Sequence, residues 1–140
     1  MNERYIFRAK RVDTGEWDTG YAMEFMNGGV VDGLRVKTAR GGWHTVPAYP
    51  ETIGQSTGLR DRAGRLVFEG DIVKLLSQDN RGIDYDEVLR IEWCDDVCGY
   101  VGMNEVLKSN DMYAPLTSHD RIEVLEMEII GTIHDAQEEE

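Results

Sequence analysis

No apolar run in the chain approaches the ~18 residues that a membrane-crossing helix needs. Its first residues, MNERYIFRAKRVD, carry charges where a secretion signal requires an unbroken hydrophobic segment. Neither secretion nor membrane spanning is expected, and an intracellular location is. Proline occurs only at positions 47, 50 and 115, and no internal repeat or low-complexity stretch is present, so the chain reads as one folded unit. Cysteine is equally scarce: Cys94 and Cys98, in CDDVC, are the only two. A structural zinc site wants four Cys or His ligands in tight pairs. Here the remaining soft candidates, His44, His119 and His134, stand singly. No metal or cofactor is expected, and the cysteines are expected as ordinary reduced thiols. The P-loop, the G-x-S-x-G nucleophile turn and H-E-x-x-H are missing as well.

Positive charge is lacking in one half. Residues 1–70 hold 10 Lys or Arg against 9 Asp or Glu, a net of +1; residues 71–140 hold 5 against 18, a net of −13. These give the total of −12, four of whose carboxylates lie in the closing DAQEEE. A protein that binds DNA or RNA directly must displace counterions from phosphates with a basic stripe. This chain offers the opposite field, so a nucleic-acid ligand is disfavoured.

The 140 residues, 41% hydrophobic and 30% charged, are those of a single globular domain spanning 1–140 that folds without a staple. Fifteen glycines at short intervals favour a mainly β fold of short strands and tight turns with little helix. Tyr5, Phe7 and Ala9 alternate with Arg4, Ile6, Arg8 and Lys10, and Trp17, Thr19 and Tyr21 resume the alternation. Asp13 to Gly15 supply the hairpin turn between them. Further turns are expected at Asn27-Gly28-Gly29, Asp32-Gly33 and Gly41-Gly42. Pro47 to Ile53 reads as an irregular connection, parting β subdomains at 1–50 and 55–135, with 136–140 as an acidic tail.

Beyond that connection, Asp61-Arg62-Ala63-Gly64 predicts a turn. A strand through Leu66 and Phe68 breaks at Glu69-Gly70-Asp71, and Ile72 starts another. A strand, a Gly-Asp corner and a β-branched strand resemble the start of an SH3-like barrel. Ser77 to Asp86 reads as a polar loop, and EVLRIEW as a strand with Ile91 and Trp93 on one side and Leu89 outward. One or two helical turns are expected within Val101 to Ser109, and YAPLTSHD as a loop. In RIEVLEMEIIGTIHD the apolar phase shifts near Val124-Leu125, which predicts a strand carrying a β-bulge.

TGLRDRAGRLVFEGDIV, residues 57–73, resembles the central signature of the YopX family of small phage and prophage proteins, a G-L-x-D-x-x-G turn leading to an E-G-D-I-V corner. YIFRAKRVDTGEW resembles that family's opening F-R-A segment, and EIIGTIHD its closing I-G-N-I-Y segment. Lys10, Thr132 and His134 depart from the aromatic, Asn and aromatic usual in the family. The resemblance implies a mainly β fold, a phage or prophage source and the bacterial cytoplasm, but no activity. Turn geometry is a sufficient reason for Gly58, Leu59, Asp61, Gly64, Glu69, Gly70 and Asp71.

Chemistry has few footholds. Glu69 with Asp71 offers a carboxylate pair for Mg²⁺ or acid–base work, and Asp95 with Asp96 reads as a solvated turn. His134 beside the acidic tail reads as a surface side chain. Trp17, Trp43 and Trp93 with Tyr5, Tyr21, Tyr49, Tyr85, Tyr100 and Tyr113 divide between core and a recognition face. The expectation is a non-enzymatic accessory protein that binds another protein, a host factor among the candidates, through an acidic or aromatic surface. Its rivals are a small metal-dependent or nucleotide-handling enzyme using Glu69 and Asp71, and a self-assembling homo-oligomer.

Overall fold

The first alternating segments form β1 (Phe7–Lys10) and β2 (Trp17–Gly20), paired antiparallel from Phe7↔Gly20 to Lys10↔Trp17. Gly15 closes their turn at φ +72°, a left-handed conformation that costs glycine nothing. This computed structural model describes residues 5–25, 31–37, 41–118 and 121–135. Across them the protein is mainly β, antiparallel, with its sheets not closed into a barrel. Two compact units divide the chain, Met1–Gly58 and Leu59–Glu140. The parting falls inside a strand, β6 (Gly54–Arg60).

In the first unit, β6 pairs with β1 through Phe7↔Gln55, and β3 (Ala22–Phe25), β4 (Val31–Lys37) and β5 (Trp43–Pro47) form a second antiparallel set. Asp32-Gly33, expected as a turn, lies within β4, where Gly33 pairs with Pro47. Burial of Leu34 and Val36 on the same strand outweighs the local turn preference. The expected turn at residues 27–29 lies outside the described residues. Ala9, Leu34, Val36, Val46 and Ala48 make the core, flanked by Phe7 and Ile53. Gly20 is required where it stands, because a Cβ there would collide with the Arg35 carbonyl oxygen and the Leu34 side chain. Between Pro47 and Ile53, Ala48 bridges Arg11 and Pro50–Thr52 makes one 3-10 turn. Thr52 Oγ1 accepts the Lys10 N–H at 2.9 Å.

In the second unit, β6 ends in the Asp61–Gly64 turn and leads to β7 (Leu66–Phe68). A sheet in the order β10-β9-β8-β11 follows, from β8 (Asp71–Asp79), β9 (Asp84–Cys94), β10 (Gly99–Met103) and β11 (Ile122–Thr132). The Gly-Asp corner between β7 and β8 is present, but the outer strands of this sheet are not paired with each other. The expected polar loop at Ser77–Asp86 is mostly hairpin: Ser77 pairs with Tyr85 and Gln78 with Asp84. Asp79 carries that hairpin's turn. Its Oδ1 accepts the Arg81 and Ile83 amides at 2.9 and 3.0 Å, and its Oδ2 accepts the Arg81 guanidinium and the Tyr85 hydroxyl. Partial burial raises this carboxyl, but those donors prevail and hold it at about 2.

The facing of β9 corrects the expected one: Leu89 and Ile91 are buried at 1% exposure, while Val88 is outward at 53%. Cross-strand partners decide this, since Leu89 lies opposite Val73 in the core. Of the stretch Val101 to Ser109, the part Glu105–Ser109 is helical (α1), because residues 101–103 are taken up by β10. The loop through Ala114 returns to the sheet, exchanging two 2.9 Å hydrogen bonds with Gly102 and burying Leu116.

The predicted bulge in β11 is found. Val124 pairs with Ser77 and Glu126 with Leu76, which leaves Leu125 over as the extra residue at 54% exposure. The shift brings Met127 opposite Leu75 and Ile129 opposite Val73, so the apolar set stays on the core face. That core joins Val67, Val73, Leu75, Leu89, Ile91, Ala114, Leu116 and Met127. Burying each large aliphatic among them is worth roughly 1.5–3 kcal/mol.

Candidate functional site

Glu69 and Asp71 occupy different surroundings. Asp71 is 1% exposed, and its Oδ2 accepts the Phe68 N–H at 2.8 Å, so the carboxylate ties the β7–β8 corner to itself. Glu69 is half-buried near Tyr100. Burial, helped by the Glu69 charge, pushes the Tyr100 hydroxyl up to about 12. Between the two carboxylates, Gly70 holds φ +90° and its carbonyl accepts the Ile133 N–H at 2.9 Å and the Thr132 hydroxyl at 3.1 Å. His134, expected at the surface, is buried at 8% exposure, and a Cβ added to Gly70 would sit 3.5 Å from its Nε2. The packing of the closing segment against the corner turns this histidine inward.

Asp61 has a comparable structural task. Its side chain is fully buried. Oδ1 accepts the Ala63 and Arg65 amides at 3.1 and 2.9 Å, while Oδ2 accepts the Arg65 guanidinium at 2.8 Å and the Ile129 N–H at 3.0 Å. Burial works against its charge, but the Ile129 and Arg65 amides and the Arg65 guanidinium hold the carboxyl below the usual carboxylate range. Arg62 N–H donates to the Met127 carbonyl at 2.8 Å and Arg65 Nη2 to the Ile129 carbonyl at 2.8 Å. The Asp61 turn therefore covers part of the outer edge of β11, and the Gly70 corner grips its end. An edge strand satisfied in this way presents fewer open backbone groups for unwanted pairing.

Among the described residues, surface aromatics are more numerous than core ones. In the first unit Tyr21 meets Trp43 edge-on with ring centroids 5.5 Å apart, and Arg35 lies 6.0 Å from the Trp43 ring. Arg35 also pairs with Glu24 at 2.9 Å, and Glu24 accepts the Thr45 hydroxyl at 3.0 Å. Trp17 lies beneath Arg8 at 4.5 Å and near Lys10 at 5.7 Å, so Lys10 serves as a cation over the ring. Tyr5, Tyr49 and Tyr113 are also exposed, and Tyr85 is half-buried.

In the second unit, acid and aromatic groups meet at the β9–β10 turn. Trp93 is 48% exposed and Val97 44%. Trp93 stands edge-on to Tyr100 at 5.3 Å, and its Nε1 donates to Asp95 Oδ1 at 2.7 Å. Asp95 and Asp96 are exposed in the turn, as expected, but Asp95 also fixes the indole, a role that sequence reading missed. The spacing W-x-D across a strand end was its only signal. Cys94 is half-buried and Cys98 exposed; both are free thiols. Among the described residues, no group of three or more His, Cys, Asp or Glu side chains could hold a metal ion. His44 is exposed, and His119 lies outside the described residues. A shallow cleft of about 340 Å³ lies over Leu59, Leu116, Val124 and Met127, rimmed by Arg60 and Arg62. No helix among the described residues is long and apolar enough to cross a membrane.

A family model described as YopX protein matches residues 6–138. No curated protein and no solved structure matches the chain. With nearly its whole length matched, the chain belongs to the YopX family.

Proposed function

We propose that this YopX protein is a phage or prophage accessory protein that works in the bacterial cytoplasm as a non-enzymatic module, binding another protein through the β9–β10 end of its second unit. The observation that carries this reading is the composition of that end. Trp93 and Val97 are exposed beside the exposed carboxylates Asp95 and Asp96. A partially exposed tryptophan already oriented by Tyr100 and Asp95 loses little freedom on docking, which is the character of a hot-spot anchor. The surrounding acidity suits a basic partner surface and would steer its approach. Glu69 and Asp71 support an enzyme less well, because Asp71 is engaged in the corner.

The test is a pull-down from bacterial lysate with the tagged full chain, at low and high salt, beside a Trp93→Ala/Asp96→Lys variant. A partner held at low salt, released by salt and lost with the variant is the expected result. Recovery of the bait alone, or of a partner that the variant retains, overturns the proposed surface. Recovery of untagged copies of the chain points instead to self-assembly.

A further inference from the structure

The same hairpin end carries both cysteines of the chain. In the ladder Cys94 lies directly opposite Gly99, and Cys98 is the neighbour of Gly99. Cross-strand Cα atoms in such a pair stand roughly 4.5–5.5 Å apart. A hydrogen bond from the Cys98 N–H to the Asp95 carbonyl, 3.3 Å, closes the four residues Asp95 to Cys98 into a turn. Cys98 takes φ +51°, a left-handed conformation that side chains other than glycine, Asn and Asp adopt uncommonly. In that conformation its Sγ lies 3.5 Å from the Asp95 carbonyl oxygen, one residue along the chain from Cys94. Two thiols, one exposed and one half-buried, are thus held at the two ends of one tight turn.

We infer that Cys94 and Cys98 form a redox couple that closes to an intramolecular disulfide across this turn. The co-reactant is a small-molecule disulfide of the glutathione type. The exposed Cys98, as thiolate, attacks one sulfur of that disulfide; a mixed disulfide forms and one glutathione thiol leaves. Cys94, as thiolate, then attacks the Cys98 sulfur and expels the second glutathione. The protons lost by the two cysteines end on the two departing thiols. Overall the two cysteines are oxidised and one glutathione disulfide is reduced to two thiols. The bridge would tighten the turn just beyond the Trp93↔Tyr100 pair, and that turn carries Asp95, the acceptor of the indole N–H, so closing it changes the indole's surroundings and with them the exposed Trp93–Val97 tip.

The experiment treats the folded full chain with glutathione disulfide and follows intact mass and tryptophan fluorescence. The expected product has lost two hydrogen masses, remains monomeric under non-reducing denaturing conditions, and returns to the starting mass with dithiothreitol. Its fluorescence changes in step with its mass. Cys94→Ser should stop at one glutathione adduct, and Cys98→Ser should react more slowly than the wild type. Phenylarsine oxide supplies a second measure, since one arsenic bridges two thiols only when they converge. One equivalent should bind the wild type at least tenfold more tightly than either single variant. A wild type that stops at glutathione adducts, or that forms only intermolecular dimers, overturns the inference. So does arsenical affinity equal to that of the single variants.

Discussion

Removing the Asp61 carboxylate tests whether the family's signature turn stabilises the second unit by capping β11. Asp61→Ala deletes acceptors for the Ala63, Arg65 and Ile129 amides and for the Arg65 guanidinium. The Arg65 side chain is 54% exposed, so it recovers water, as do the two turn amides. The Ile129 N–H lies at a part-buried strand edge and is left with no acceptor. An orphaned amide costs about 1–3 kcal/mol, and each hydrogen bond returned to water costs about 1 kcal/mol. The sum is about 4–6 kcal/mol. Against a domain stability of roughly 5–15 kcal/mol this is a large fraction. Asp61→Asn keeps the shape and one good acceptor, and should cost less, about 1–3 kcal/mol.

The assay is urea unfolding of the full chain, with Trp93 as the reporter in a Trp17→Phe/Trp43→Phe background, so that the signal comes from the second unit. A loss below ~0.5 kcal/mol, the size of an ordinary surface substitution, would refute the capping argument. Acid gives an independent check. Because the folded carboxyl lies below its ordinary value, its stabilisation is fully present above the unfolded value of about 3.9 and is lost as pH falls through the folded one. The acid limb of the stability curve should therefore be shallower in Asp61→Ala than in the wild type.

Two further predictions concern packing and charge. Gly102→Ala would place a Cβ 2.7 Å from Leu89 Cδ1 and 3.2 Å from its Cβ, and the overpacking should cost about 1–3 kcal/mol in the same unfolding assay. Glu69→Gln removes the charge that adds to burial in raising the Tyr100 hydroxyl, so ultraviolet titration should find Tyr100 ionising below about 12 but still above an ordinary tyrosine, since the burial remains. An unchanged titration would mean that Glu69 and Tyr100 do not interact in solution. In the wild type, stability should fall as pH rises from about 10 toward the folded value, because only the unfolded tyrosine ionises in that window.

Much of the fold could be read from local pattern because strands and tight turns are short-range events. The Asp13–Gly15 hairpin, the Asp61–Gly64 turn and the Gly-Asp corner each follow from residues within about one turn of one another. The bulge at Val124-Leu125 was legible too, as a break in a period of two leaves a visible trace in an otherwise apolar strand. The SH3-like expectation rested on the corner and the two strands that flank it, and so local a pattern cannot decide whether a sheet closes.

Composition, alternation and turn residues by themselves determined the β class, the hairpins, the bulge and the uneven charge. Only the tertiary structure decided which partner each polar group would meet. Asp61 and Ile129 are 68 residues apart, yet one caps the other; Gly70 and Thr132 are 62 apart, yet they share a hydrogen bond. The same holds for facing. Leu89 turned inward and Val88 outward because Val73 lies across the ladder from Leu89, a fact absent from EVLRIEW itself. Local sequence sets backbone preference through sterics and turn chemistry. Burial and hydrogen-bond satisfaction are set by what long-range folding brings alongside, and that turned Asp71 and His134 into buried structure and left Trp93 at the surface.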